Sequence, residues 1–325
     1  MAANLTGPVA HHFNNMGQQQ ATVRMGMWVF LVTEVLFFGG AFCAYTVYRL
    51  MYPKDFEAGS AALNVGIASV NTFLLLFSSL TITLAIRSCY VGSRKGLARN
   101  LALTIILGAA FLGLKAREYQ LDYQEGLIPG VSKLTHAGQE RFEARMREIY
   151  AEGERLEAQA KAASGDAARE LHERALDLKA RATQAPVAFG ENLKVALSHN
   201  KSFKGKPLDE QDYTQGTVAD GDHSHDYDPK KVQLFFMFYY SMTGLHVLHM
   251  LIGLGLLVWQ YVLATRGFFD HNARYIYVEV MSLYWHFVDM AWMFILPLLY
   301  LTGPHSAAYA VEQFKQAIGM GGGGH

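Results

Sequence analysis

Glu34 is the residue in this sequence whose surroundings most demand a chemical explanation. It lies in the run Arg24-Met25-Gly26-Met27-Trp28-Val29-Phe30-Leu31-Val32-Thr33-Glu34-Val35-Leu36-Phe37-Phe38-Gly39-Gly40-Ala41-Phe42, which is otherwise apolar. At helical rise it falls about 15 Å past Arg24, near the middle of a hydrocarbon layer roughly 30 Å thick. A charge there costs several kcal/mol, so a carboxyl is kept at that depth for a reason. Two reasons are open: a proton-linked or lipid-linked task, or a packing device between helices.

Other polar residues recur inside apolar runs. His246 and His249 are three apart in Thr243-Gly244-Leu245-His246-Val247-Leu248-His249, so they share one helical face. Glu279 precedes Tyr284-Trp285-His286-Phe287-Val288-Asp289-Met290-Ala291-Trp292, where His286 and Asp289 are again three apart. Lys115-Ala116-Arg117-Glu118-Tyr119 closes a third apolar run. Neutral imidazole ligates haem and metals well, so three such histidines admit a haem-binding electron carrier. They equally admit interhelical hydrogen bonds, each worth about 1 kcal/mol. Spacing alone leaves both readings open.

The elements that position these residues read as membrane helices. Although 51% of the residues are hydrophobic and the formal net charge is zero, the apolar residues are concentrated. Five segments, 23–48, 66–89, 98–120, 231–263 and 275–302, have the length and character of spans. The fold class is therefore an all-α integral membrane protein, five transmembrane helices in a bundle with an extramembrane helical hairpin. Arg24, Arg87, Arg94, Lys95, Arg99, Arg266 and Arg274 fall on one side. That side is expected to be cytoplasmic. The segments are then a cytoplasmic 1–22, spans over 23–120, a periplasmic insertion 121–230, spans over 231–302, and a periplasmic tail 303–325. The first apolar run has no basic leader and is long enough to span, so a cleaved signal peptide is not expected. No basic stripe points to nucleic acid.

Arg266 and Arg274 are candidates for anionic lipid headgroups or simple topology markers. Cys43 and Cys89 should lie a membrane's depth apart, beyond disulfide reach. In the insertion, Phe142, Met146, Ile149, Gly153, Leu156 and Ala160 form one seam, and Ala168, Leu171, Ala175, Leu178 and Ala182 another. They predict an antiparallel hairpin over about 141–183, with Ser164-Gly165-Asp166 as a helix stop followed by an N-cap. The hairpin is either a decoration or a docking surface for a partner. Residues 200–230 read as a polar loop, in which Asp222-His223-Ser224-His225-Asp226 is a weak metal-site candidate.

The motifs together resemble subunit III of the haem–copper oxidases. They are Arg24-Met25-Gly26-Met27 with Thr33-Glu34-Val35-Leu36-Phe37-Phe38, then Asn71-Thr72-Phe73-Leu74-Leu75-Leu76, then Glu118-Tyr119. Thr243-Gly244, His246, His249 and Gly253 follow, and finally Glu279 with Tyr284-Trp285-His286-Phe287-Val288-Asp289 and Trp292. The insertion at about 130–229 is outside the resemblance. The resemblance implies a chain with no active site, haem, copper or other metal of its own, packed beside a catalytic subunit I and a subunit II. Those partners would carry the haem and copper. It also implies bound phospholipid and support of proton uptake, with the family's carbodiimide-reactive glutamate falling on Glu34. Under it His246, His249, Glu279, His286, Asp289 and Glu118 become structural polar residues. Longer members have seven spans, so this chain is expected to begin at the equivalent of the third. A neighbouring subunit would then supply the missing wall of the lipid cleft. Thr33-Glu34 matches cytochrome c oxidases rather than the Ser-Asp of quinol oxidases, which favours cytochrome c as donor. The alternatives are a quinol oxidase subunit, a paralogue beside a nitric oxide reductase, or an adaptor to another respiratory complex or cytochrome c through the 141–183 hairpin. The expected location is a bacterial inner membrane.

Overall fold

The computed structural model describes residues 13, 15–131, 133–182, 188–200, 202–207, 226–270 and 275–303. Among these there is no β-strand, and the helices are α1 (Met16–Met51), α2 (Pro53–Ala61), α3 (Val65–Tyr90), α4 (Arg94–Gln124), α5 (His136–Ala162), α6 (Asp166–Arg181), α7 (Ala188–Ser198), α8 (Pro229–Thr265) and α9 (Tyr275–Tyr300). Five of them, α1, α3, α4, α8 and α9, are long and apolar enough to cross a membrane. The chain is a multi-pass all-α membrane protein.

Local sequence explains where these helices start. Asn15, Asn64, Ser93 and Asp228 each accept a hydrogen bond from a backbone N–H in the first turn of α1, α3, α4 and α8. Such caps satisfy donors that the helix itself leaves free. Pro53 and Pro229 occupy first-turn positions, where a missing N–H costs nothing. Glycines at φ +74° (Gly92) and +67° (Gly126) turn the chain out of α3 and α4, a conformation that a Cβ would strain.

The bundle is built on two antiparallel pairs. α3 and α4 form a hairpin, with Thr81 Oγ1 and Thr104 Oγ1 2.8 Å apart across it and Asn100 Nδ2 donating to Ser88 Oγ at 3.0 Å. α8 and α9 pack against it and against each other. Trp285 Nε1 donates to Ser78 Oγ and Trp292 Nε1 to Thr72 Oγ1, fixing the antiparallel register of α9 on α3. α1 lies along α8 and α9 as the least covered span: 11% of its apolar window is buried, against 33–50% in the other four. Its uncovered flank presents Trp28, Val32, Val35 and Leu36.

Several contacts tie one end of the bundle together. Arg24 pairs with Glu279, Tyr275 donates to Gln20, and Arg94 donates to the Ala264 and Thr265 carbonyls at the end of α8. Arg94 thus caps a helix C-terminus, beyond the topological role expected of it. The opposite end carries the insertion. There Tyr45 donates to the Leu298 carbonyl, Asp228 N–H to Asp55 at 2.6 Å and Asn200 to the Ala61 carbonyl at 3.0 Å.

The insertion contains the expected hairpin, α5 against α6. All eleven seam residues are buried or half-buried, with Ala175 and Ala160 the most enclosed. Small residues sit where the helices approach: a Cβ on Gly153 would crowd Lys179 and the Ala175 carbonyl. Several boundaries differ from the sequence reading. α1 starts at Met16 rather than near residue 23, because Gln18, Gln19 and Gln20 extend the helix beyond the apolar stretch. The N-cap of α6 is Gly165, at φ +75°, and Asp166 is already helical; Gly takes the turn and the carboxylate faces the helix N-terminus. α2 and α7 were not anticipated, since both are short, although Phe189, Leu193, Ala196 and Leu197 do recur at helical spacing in α7. Of the 200–230 loop, residues 201 and 208–225 lie outside the described residues, and with them Asp222, His223, Ser224 and His225. Asp226 is described, and its Oδ1 accepts the Lys206 N–H at 3.1 Å.

Candidate functional site

Glu34 and His249 form the centre of the site. α1 brings Glu34 against α8, where Glu34 Oε2 lies 3.0 Å from His249 Nε2. The other ring nitrogen, Nδ1, lies 2.9 Å from the Leu245 carbonyl one turn back. Because a carbonyl only accepts, that contact puts a proton on Nδ1. A neutral ring then leaves Nε2 as an acceptor, so a protonated Glu34 donates to it; an imidazolium would instead donate to a carboxylate. The pair is one proton shared between two sites 3.0 Å apart. Its side chains are 19% and 11% exposed, so it is enclosed yet reachable from the uncovered flank of α1.

The walls of the pair are apolar. The Phe38 ring lies 5.3 Å from His249 and 5.9 Å from Phe287, and Tyr284 donates to the His249 carbonyl at 3.0 Å. Low dielectric strengthens the hydrogen bond and makes an unpaired charge here expensive.

The remaining sequence candidates separate into different places. Glu279 pairs with Arg24 at 3.0 Å and is 25% exposed, at the end of the bundle remote from the insertion. His286 Nδ1 lies 2.7 Å from Ser79 Oγ, joining α9 to α3. These two, like His249, bond to a residue of another helix. His246 makes no such bond: both its ring nitrogens lack a partner among the described residues, whereas the Asp289 carboxyl interacts with Ser79 of α3. His246 instead packs its ring on Phe111 and Trp292, with centroids 5.6 and 5.2 Å away. Arg266 is exposed at the end of α8, and Arg274 lies outside the described residues.

Glu118 belongs to a larger cluster near the insertion end. Lys115 Nζ donates to Glu118 Oε2 at 3.0 Å, Tyr239 at 3.2 Å and Tyr300 at 2.6 Å. The Tyr239 and Tyr300 hydroxyls reach Glu118 Oε1, and Tyr239 and Tyr240 reach Asp122 Oδ2. Lys115 and Glu118 are each about 1% exposed. Sequence reasoning assigned this segment to the membrane boundary and missed Asp122, Tyr239 and Tyr300. The i, i+3, i+7 spacing of Lys115, Glu118 and Asp122 was the available signal, since it puts all three on one face.

The family model described as Cytochrome c oxidase subunit III matches residues 7–123 and 232–304, more than half of the chain and both sides of the insertion. Among curated proteins, the chain is 37% identical over 108 residues to cytochrome c oxidase subunit 3 of Xenopus laevis, covering 31% of this chain and 41% of that protein. It is 39% identical over 108 residues to the protein of the same name from Formosania lacustris, with the same coverage. It is also 28% identical over 124 residues to cytochrome bo(3) ubiquinol oxidase subunit 3 of Pseudomonas aeruginosa, covering 38% of this chain and 59% of that protein. The chain thus spans about two fifths of the length of the first two relatives.

Proposed function

The chain belongs to the cytochrome c oxidase subunit III family, and from that premise we propose that it is a non-catalytic accessory subunit of a proton-pumping terminal oxidase. It packs beside the catalytic subunit I and subunit II in a bacterial inner membrane. Its N-terminus is cytoplasmic, and its insertion and C-terminus are periplasmic. Haem and copper belong to the partner subunits; this chain contributes the protein and lipid environment around them.

The observation that carries this reading is the enclosed Glu34–His249 pair. A carboxyl and an imidazole sharing one proton are net neutral whichever of them holds it, and a proton gained or lost leaves a single charge that the hydrogen bond between them stabilises. Such a group buffers proton supply to a neighbouring subunit during turnover. The same carboxyl borders the uncovered apolar flank of α1, where phospholipid chains or the neighbouring subunit would seat. Arg266 and Arg274 are the accompanying headgroup candidates.

Two measurements on the intact oxidase separate these roles. Glu34→Ala should leave assembly intact while shortening the number of turnovers before inactivation. Bound phospholipid counted by mass spectrometry should be unchanged if the role is proton supply, and reduced if it is lipid retention. A wild-type turnover lifetime in Glu34→Ala removes both.

Thr33-Glu34 favours cytochrome c as electron donor, whereas the likeness to the Pseudomonas aeruginosa protein keeps quinol as the second reading. Purification through a tag on this chain distinguishes them. A copper-bearing subunit II and oxidation of cytochrome c support the first; quinol oxidation without that copper supports the second.

A further inference from the structure

α9 carries an open row along one edge. Glu279, Leu283, His286, Met290, Met293 and Pro297 recur at spacings of 4-3-4-3-4, and all are exposed or half-buried, Met290 at 59% and Met293 at 46%. On one side of this row α1 packs on α9 through Phe38 on Phe287 and Phe42 on Phe294, with ring centroids 5.9 and 6.2 Å apart. On the other side α3 holds Trp285 through Ser78 and His286 through Ser79. The row is the floor of a valley walled by α1 and α3. It covers about 27 Å at helical rise, nearly the depth of a hydrocarbon layer roughly 30 Å thick. Its spacing is the one along which two membrane helices interlock side chains at a shallow left-handed crossing.

His286 makes this floor polar near mid-membrane. Thr83 Oγ1 donates to the Ser79 carbonyl at 2.9 Å, so towards His286 it can only accept. A neutral ring, the form that hydrocarbon favours, then carries its proton on Nε2, 3.4 Å from Thr83 Oγ1, and its Nδ1 accepts from Ser79 Oγ at 2.7 Å. The Nε2 contact is longer than the usual range of about 2.7–3.2 Å. It is the one hydrogen bond of that N–H among the described residues, and Thr83 itself is exposed. Acyl chains offer no acceptor to complete it, and lipid ester carbonyls lie at the interfaces rather than at this depth. A second copy of this chain is equally unsuited. Both copies would insert the same way, so a twofold axis along the membrane normal would set His286 against His286, two donors without an acceptor.

We infer that this valley seats a transmembrane helix of a neighbouring oxidase subunit, one that presents a hydrogen-bond acceptor to His286 Nε2. Met290 and Met293 suit the rest of the contact, because unbranched thioether side chains adapt to the surface they meet. The inference rests on the reading of this chain as an oxidase subunit. It gives the partner a face of its own, separate from the α1 flank that borders Glu34.

The test uses the intact complex, purified in mild detergent through a tag on this chain. Absence of any oxidase subunit at that step would sink the subunit reading itself, before the valley is tested. In the complex, a photoreactive benzophenone side chain in place of Met290 should cross-link this chain to another oxidase subunit, with the adduct confined to one transmembrane segment of it. Adducts only with lipid, or only with a second copy of this chain, overturn the docking. His286→Phe keeps a ring and removes the N–H, and the ratio of free to bound chain should rise about fivefold. His286→Gln, which returns an N–H to nearly the same place, should recover most of the retention. Wild-type retention in His286→Phe overturns the hydrogen bond to the partner. Met290→Trp reads the same face if His286→Phe does not fold: the site is exposed, so the bundle tolerates the indole, and its bulk should release the chain. Full retention of Met290→Trp overturns the docking.

Discussion

Arg24 on α1 and Glu279 on α9 form a 3.0 Å ion pair, and the two helices run parallel away from it. Glu34 and Asp289, each ten residues further along its helix, therefore lie at one depth. They face different neighbours. Glu34 meets His249 on α8, whereas Asp289 belongs to the turn of α9 that carries His286 against Ser79 on α3. The level that a sequence would mark as the bilayer centre is thus a polar belt around α9, and α1 contributes to it from the outside.

The Glu34–His249 contact should behave as a coupled pair. Interhelical hydrogen bonds in membranes average about 0.6 kcal/mol, with about 1.7 as a measured upper range. Glu34→Ala and His249→Ala should each destabilise the protein modestly, and the double variant should cost less than the sum by about that amount. Thermal unfolding of the four proteins in one detergent gives the cycle; strict additivity would show that the contact carries no energy.

Lys115 and Glu118 make a sharper case because both are almost fully enclosed. Removing one partner leaves the other charge buried without compensation, a loss of about 3–5 kcal/mol. Lys115→Met alone should therefore be severely destabilised. Lys115→Met with Glu118→Leu should recover much of that loss, because a buried pair traded for apolar side chains is often neutral. A double variant as unstable as the single one would place the energy in the Tyr239 and Tyr300 hydroxyls instead.

Both sites show what was legible beforehand and what was not. Length and apolar content identified five spans, and the heptad seams identified α5 and α6, because burial in each case is written in composition and period. Motif order identified the family, and Glu34 drew attention by its apolar surroundings alone. Its partner was not legible: His249 is 215 residues away, and nothing local shows which helix face meets α1. His246 looked the same as His249 in the sequence, yet one is fully bonded and the other makes no hydrogen bond among the described residues. Helical spacing gives a shared face but not the groups opposite it. Asp122, Tyr239 and Tyr300 were missed for the same reason, since their cluster is assembled from α4, α8 and α9.

The insertion is held to the bundle end through Asn192. Its side chain accepts from Thr135 N–H and Oγ1 at 3.0 and 2.9 Å, and donates to the Lys133 and Gly126 carbonyls at 2.8 and 3.3 Å. That nearly saturates one amide. Asn192→Ala should cost about 1–3 kcal/mol locally, by leaving buried partners unsatisfied. Gly126→Ala should act on the same junction, since φ is +67° and a Cβ would meet the Asn192 side chain and the Lys133 carbonyl. Limited proteolysis should cut near residues 126–135 faster in both variants while the membrane helices stay protected. Unchanged protection would mean that α7 is held by Phe189 on Phe236 instead.

The hairpin should loosen in acid, through Glu157. Its carboxylate on α5 pairs with Lys179 on α6 and, at 3.2 Å, with Lys161 one turn on. Hydrogen bonding from Lys179, then from Lys161, holds its pKa at about 2, below the ordinary 4.5. The folded value is the lower one, so the unfolded hairpin binds more protons in that window. Its stabilising contribution is therefore complete above about pH 4.5 and is lost as pH falls towards 2. The pair is at the surface, so high salt should screen the contribution at any pH. A fluorescence pair reporting separation of α5 and α6 in the full chain should show opening over that interval. Glu157→Gln should already be looser at pH 6 and flat below it. The same acid transition in Glu157→Gln would assign it to other carboxylates of the hairpin.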